Sequence, residues 1–392
     1  MTGFKIDAAA LRLITSRAKM VVERKTRKSI PILQTVLIEW AKGVLRAEAT
    51  DLDISIICAA DAETDGVGKV AINVDHLNWI ARAAEDAGAV VEVETLLPAD
   101  KRGPERIKVS AGEISATMNL INSISDFPEM VMGDDMQGPI GFSPPELHRL
   151  LTMGRSAIST EETRYYLNGT FLHGINGKAR AVSTDGRRMA VIDSEAPWWT
   201  VGTKPAWRRE IKRMEGDPAL YADYGIIIPT KTVGIIAHLV DPRGNEPVML
   251  QISETKLHAI GPRWEIKAKV IDGTYPSYER VIPQDEPKAH MTLALASLRR
   301  IAQSPFMDGR SGAMKFELGN SRATMKSVEI GEISAPITST GDFDICFNSR
   351  YVVDTARALG GVVRFDMTKS GDPARVYGED PAAMFVLMPM RV

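Results

Sequence analysis

The chain has 392 residues, room for about two to four domains, and its 44% hydrophobic and 25% charged content is ordinary globular composition. No apolar run approaches the ~18 residues of a membrane span, and the opening Met1-Thr-Gly-Phe-Lys-Ile-Asp lacks the apolar stretch of a secretory signal, so a cytoplasmic, non-membrane protein is expected. A formal charge of −2 excludes a uniformly basic nucleic-acid binder, though not one whose charges are segregated by face, and two cysteines exclude a disulfide scaffold.

A strand and a helix open the chain between Phe4 and Val22. Leu11, Ile14, Ala18, Val21 and Val22 share one helical side, while Arg12, Arg17, Lys19, Arg24, Lys25, Arg27 and Lys28 face Glu23 as the single acid of residues 8–28. Acids concentrate elsewhere, in Asp51-Leu-Asp53, Asp61-Ala-Glu63 and Glu92-Val-Glu94. Strand-period runs from Val44 to Ile56 precede a second helix, for which Asp75 is the expected cap. The alternating stretch Ile107 to Met118 then predicts a hairpin. Cys58 and Cys346 lie in apolar strand-like runs, where buried thiols are expected.

The middle third repeats this order. Ile140-Gly-Phe-Ser-Pro-Pro-Glu-Leu reads as a strand, a Ser143 cap, prolines in the first turn, then a helix. Arg180-Ala-Val-Ser-Thr-Asp185 echoes Arg46-Ala-Glu-Ala-Thr-Asp51, and Thr274-Tyr-Pro answers Asp126-Phe-Pro. The last third does so again. A strand and helix begin at Thr292, a hairpin spans Met314 to Met325, a helix follows Asn348, and Val386-Leu-Met-Pro-Met closes the pattern. Repeats of this length are domains rather than solenoid units. An α+β chain of three tandem, topologically similar domains is therefore expected, with boundaries at 1–136, 137–285 and 286–392, in turn-rich polar stretches.

Residues that would carry catalysis are scarce. Six histidines are scattered without metal-ligand spacing, and there is no Gly-x-Ser-x-Gly elbow. Gly174-Ile-Asn-Gly-Lys178 lacks phosphate-loop spacing and reads as a hairpin turn. Asp51 and Asp185 could pair on a metal, but their repetition at strand ends favours turn duty. No catalytic residue, metal or cofactor is expected. Met388 and Met390 follow the last strand, where adaptable thioethers suit an exposed peptide groove.

Further runs are specific enough to carry a resemblance: Ile30-Pro-Ile-Leu, Ala49-Thr-Asp-Leu-Asp, Asp126-Phe-Pro, Arg164-Tyr-Tyr-Leu-Asn-Gly, Ser183-Thr-Asp-Gly-Arg-Arg-Met-Ala-Val, Ile228-Pro-Thr-Lys, Asp272-Gly-Thr-Tyr-Pro-Ser-Tyr-Glu-Arg-Val-Ile-Pro, Phe347-Asn-x-x-Tyr-Val and Val386-Leu-Met-Pro-Met-Arg-Val. In this order, from about residue 30 onward, the chain resembles the bacterial sliding clamps, the beta subunits of DNA polymerase III. The resemblance implies the DNA-clamp fold, with helices lining the inside and sheets the outside of a homodimeric ring around duplex DNA. It implies a non-catalytic processivity factor, bound without sequence preference to DNA and, through a peptide groove, to the polymerase catalytic subunit, the clamp loader and other clamp-binding-motif proteins. A specialised or inhibitor-tolerant clamp paralogue is the alternative.

Carried over by position, the groove would be Tyr166, Leu167, Thr184, Gly186, Arg187, Arg188, Met189, Pro276, Arg280, Val281, Asn348, Tyr351, Val386, Leu387, Met388, Pro389, Met390 and Arg391. Arg27, Arg82 and Lys231 match DNA-contacting positions. Arg187 stands where a His is usual, Asp75 where a base is frequent, and Thr230 where a base is expected. The stretch Ser194 to Tyr224 is longer than usual and holds Trp198, Trp199 and Trp207, which either cover the middle domain's sheet or form an accessory surface.

Overall fold

The computed structural model describes residues 2–23, 30–96, 106–120, 124–198, 222–297, 312–327 and 331–391. They gather into two compact units, Met1–Gln137 with Glu246–Lys269, and Gly138–Asn245 with Val270–Val392.

In the first unit one antiparallel sheet runs in the order Glu63–Asp65, Gly3–Asp7, Val90–Leu96, Arg106–Ala111, Ile114–Asn119. A seven-strand run of the other follows the order Val248–Ile252, Lys256–Gly261, Trp264–Lys269, Ile54–Asp61, Val44–Thr50, Thr35–Ala41, Gly68–Asn73. Helices α1 (Ala8–Ala18) and α2 (Val74–Asp86) belong to this unit. The spacing of Val74, Leu77, Ile80, Ala81 and Ala84 gives α2 one apolar stripe, and all five are buried. The Asp7 carboxylate caps α1 by accepting from Ala10 N at 3.0 Å. At α2 the expected cap is displaced by two residues. Asn73 Oδ1 accepts from Asp75 N and His76 N, and Asp75 sits inside the first turn, where its charge suits the helix dipole.

In the second unit nine strands run in the order Ala222–Pro229, Gly169–Ile175, Lys178–Thr184, Arg188–Pro197, Ala383–Leu387, Ala374–Tyr377, Val362–Met367, Ala289–Ala294, Thr338–Thr340. Four more follow the order Gly331–Pro336, Arg322–Ser327, Ala313–Glu317, Asp344–Asn348. Helices α3 (Pro144–Thr152), α4 (Thr230–Leu239) and α5 (Ser349–Leu359) belong to it. Ser143 precedes the two prolines of α3 as expected, but its side chain makes no capping bond. The Gly174–Lys178 stretch is a hairpin turn, with Asn176 and Gly177 both at positive φ.

The repeated order carries a repeated join. Trp264–Lys269 closes the hairpin set of the middle third and pairs with Ile54–Asp61, from Trp264 opposite Cys58 to Ala268 opposite Ile54. Ala383–Leu387 closes the last third and pairs with Arg188–Pro197, from Arg188 opposite Leu387 to Ile192 opposite Ala383. Each join aligns five residue pairs in one antiparallel geometry. Ile114–Asn119, which closes the first third, and Gly331–Pro336, which holds in the last third the place of Ile54–Asp61 and Arg188–Pro197, end their sheets without such a partner among the described residues.

Two expectations change. Cys58 is buried, but Cys346 is only half-buried, because strand alternation turns it to the face opposite that of the buried Ile345 and Phe347. Of the long stretch from Ser194, the first residues extend the strand Arg188–Pro197, and Ala222 to Tyr224 begin the next one. Trp198 is fully buried, with its backbone N–H donating to Gly177 O at 3.0 Å, so it belongs to the core rather than to an accessory surface. Trp199 and Trp207 lie outside the described residues.

Trp264 stands at the join in the first unit and is 3% exposed. Replacing it with Ala removes about 3–5 kcal/mol of local stability through lost burial and a residual cavity. The expected readout is faster amide hydrogen exchange in Ile54–Asp61 and Trp264–Lys269 together. Loss confined to one of the two strands would show that they are not one cooperative seam.

Candidate functional site

The groove residues gather around the join in the second unit. Leu167, Met189 and Val386 belong to one buried apolar cluster with Phe171, Val182, Val191, Ile227, Tyr275 and Tyr278, and Tyr166 is packed against it. Val386 faces this cluster because strand residues alternate. Its neighbour Leu387 is equally buried but shares the opposite sheet face with Phe385, so it supports the strand and is not groove surface. Tyr165, Val281, Met388 and Met390, each close in sequence to a residue of the cluster, are exposed apolar side chains. The expectation that the methionines following the last strand face solvent therefore matches their placement.

One turn shapes the cationic end. Asp185 Oδ1 accepts from Arg187 N and Arg188 N, both at 2.9 Å, and Thr184 Oγ1 donates to Arg188 O at 2.7 Å while accepting from Gly186 N. This is the turn duty expected of a Thr-Asp pair, and Asp51 does the same for Asp53 N and Ile54 N. Gly186 suits its backbone, and the Arg164 side chain lies in the space that a side chain here would take. Its φ is +83°, and a Cβ there would lie 2.5 Å from Arg164 Nη1. Arg188 is held from three sides: Asp185 at 3.1 Å, Asp354 of α5 at 3.1 Å, and the Tyr351 ring 4.2 Å from its guanidinium carbon. Asn348 caps α5 through Arg350 N and Tyr351 N, which fixes the Tyr351 backbone. Met388 N donates to Arg187 O at 2.9 Å and Met390 N to Cys346 O at 2.7 Å, so the segment with Pro389 and exposed Arg391 is tied at alternate residues.

Tyr278 of the cluster opens a short turn, Tyr278–Val281, that carries exposed Arg280 and Val281, with exposed Pro276 just before it. Beneath it lies a polar network that sequence reasoning missed. Tyr275, Phe171 and His173 form a ring stack, with centroids 4.7 and 4.6 Å apart. His173 Nδ1 donates to Gly174 O at 2.8 Å, since a carbonyl can only accept, and Nε2 accepts from Tyr278 Oη at 3.0 Å. Arg180 donates to the same phenol and binds Asp193 with Nη2 at 2.9 Å. Burial pushes the His173 imidazole down to about 4, so it stays neutral. Burial likewise pushes the Tyr278 phenol up, with Arg180 opposing.

The candidate DNA contacts lie on helix faces. Arg27 falls outside the described residues. Arg82 is exposed on α2, one turn beyond Trp79, which is 61% exposed. Part of the expected basic face of α1 is neutralised by α2: Arg12 pairs with Glu85, and Lys19 with Asp75 at 2.7 Å. The acid at position 75 is thus a partner of Lys19. The exposed face of α4 carries no acid. Lys231 and His238 are the exposed residues of α4, and Arg155, just past α3, lies across it. A Cβ at Gly234 would meet Arg155 Nη2 at 3.1 Å. A glycine inside a helix costs about 1 kcal/mol against Ala, so Gly234 was the available sequence signal for this seat. Among the described residues no group of three or more His, Cys, Asp or Glu could hold a metal ion, and no helix is long and apolar enough to cross a membrane.

No protein-family model matches the chain. Among curated proteins it is similar to the beta sliding clamp of Caulobacter vibrioides, 32% identical over 399 residues and covering 99% of each chain. The beta sliding clamp of Escherichia coli K12 is 26% identical over 381 residues, 93% of this chain and 94% of that one. Among solved structures, the beta sliding clamp of Caulobacter crescentus matches with a TM-score of 0.84 at 32% identity, over 100% of this chain and 99% of that chain. The sliding clamp of Bartonella birtlesii bound to griselimycin, DNA polymerase III subunit beta, matches at 0.82 and 28% identity, over 100% of both.

The neutral His173 makes stability depend on pH. Between the ordinary value of 6.5 and about 4 the unfolded chain binds a proton that the folded chain refuses. Stability therefore falls as pH falls through this window, by about 3 kcal/mol at its lower end. Urea midpoints measured against pH should show this slope, and His173→Gln should flatten it.

Proposed function

The chain belongs to the beta sliding clamp family, and from that premise we propose that two copies join head to tail into a closed ring around duplex DNA. Each copy contributes three domains, 1–136, 137–285 and 286–392, and the ring acts in the cytoplasm without catalysing a reaction. It tethers the replicative polymerase, the clamp loader and other motif-bearing proteins through the groove of Tyr166, Leu167, Met189, Val386 and Met388. The observation that carries the ring is the repeated join. Two joins inside the chain use the same five-pair antiparallel seam, and two equivalent edges, Ile114–Asn119 and Gly331–Pro336, are left over. An open edge is a row of unpaired backbone donors and acceptors, and a second copy supplies what each edge lacks. Pairing one copy's leftover edge with the other's makes six equivalent joins and closes the ring.

Such a ring holds DNA by topology and by phosphate contacts, with no base readout. Arg82, Lys231 and Arg155 fit that role, as exposed cations on helix faces. Peptide binding fits the other surface, where exposed Tyr165, Val281, Met388 and Met390 offer anchors for Leu and Phe side chains.

The ring is tested by assembly. Met118 and Ile333 are half-buried apolar residues on the leftover edges. Sedimentation should find a dimer for the native chain and a folded monomer for Met118→Asp and for Ile333→Asp. Retention on nicked circular DNA should vanish once the circle is linearised. A native chain that stays monomeric at micromolar concentration would refute the ring.

The phosphate contacts are tested by salt. Charge reversal of Arg155 and Lys231 together should flatten the log–log dependence of DNA binding on salt by about two units, one for each lost contact. An unchanged slope would place both residues away from the duplex.

A further inference from the structure

The groove ends in three arginines around one turn, and their charges are not equally committed. Arg164 lies against Gly186 and is paired with Glu161 at 2.7 Å. Arg188 is enclosed by Asp185, Asp354 and Tyr351. Arg187 is exposed, and among the described residues its side chain has neither an ion pair nor a hydrogen bond. The nearest acids in the turn and on α5 are already occupied. Asp185 gives one oxygen to two backbone N–H groups and the other to Arg188, and Asp354 is shared by Arg188, Arg350 and Arg357.

The backbone of Arg187 is nevertheless fixed at both ends. Its N–H is held by Asp185 and its carbonyl by Met388 N. A preset cation beside the exposed Met388 is a bipartite surface, with an apolar contact and an unmatched positive charge on two residues joined by a backbone hydrogen bond just beyond the paired strands. We infer that the preferred partner of this groove is a linear peptide with apolar anchors and one Asp or Glu, whose carboxylate is taken by Arg187. The inference rests on the groove reading given above. Arg187 is then a specificity-determining residue: the apolar floor fixes where the peptide lies, and the guanidinium selects among peptides that share the same anchors.

The contact is exposed at the rim, so its effect is modest and screened by salt. The experiment uses the full chain and synthetic peptides with identical Leu and Phe anchors, in which a single Asp or Asn is walked through the remaining positions. Fluorescence anisotropy at low salt should find one position at which Asp binds about two- to fivefold more tightly than Asn, and the gap should shrink as salt rises. In Arg187→Gln the two peptides should bind alike, and in Arg187→Glu a Lys peptide should become the preferred one. Equal binding of Asp and Asn at every position, or a preference that persists in Arg187→Gln, would overturn the inference while leaving the groove in place. Failure of every anchored peptide to bind the native chain would overturn the groove reading and this inference with it.

Discussion

A β-sheet cannot end for free: each terminal strand exposes backbone donors and acceptors that another strand, a covering element or water must satisfy. This chain answers that constraint by letting the closing strand of one repeat complete the sheet of the repeat before it. Cys58 opposite Trp264 and Arg188 opposite Leu387 are two instances of one solution. The backbone pairing is generic. What varies is the side chains at each join: an indole buried on the first, an arginine bound to two carboxylates on the second.

That difference bears on the groove proposed at the second join. There the strand Arg188–Pro197 emerges from a tight Asp185 turn, and the closing strand runs out at Leu387 beside it. The following residues are held at Met388 and Met390 by single backbone hydrogen bonds, one to the Asp185 turn and one to the strand Asp344–Asn348. The floor is rigid because its aromatic stack is locked from below by a neutral imidazole, a phenol and an arginine. The rim is more adaptable, since methionine side chains have several accessible rotamers. A firm base under a compliant edge suits a surface that must take several related sequences.

Much of this was legible from residue order. Period-2 runs located the hairpins, the Thr-Asp pairs announced their turns, and Asn348 stood correctly before its helix. Local rules failed where two nearby residues competed for one role, as when Asn73 rather than Asp75 capped α2. They failed also where a long-range partner decides the outcome. Nothing adjacent to His173 foretells Tyr278, a hundred positions on, and nothing adjacent to Lys19 foretells Asp75. For Trp198 the sequence left two readings open, cover for the sheet or accessory surface, and only its burial in the fold decides for the first. Leu387 matched by position, yet strand alternation turns it away from the groove. The edges left open at Ile114–Asn119 and Gly331–Pro336 are visible only once every other strand has found its neighbour.

The indole of Trp79 stands apart from the other tryptophans of the described residues. Trp40, Trp198 and Trp264 are sealed in cores, whereas Trp79 faces solvent one helical turn from Arg82. Among these four, its emission is the red-shifted one and the one open to collisional quenchers such as iodide. The molecule carries a native optical probe on a helix face, so events at that surface can be followed without attaching a dye.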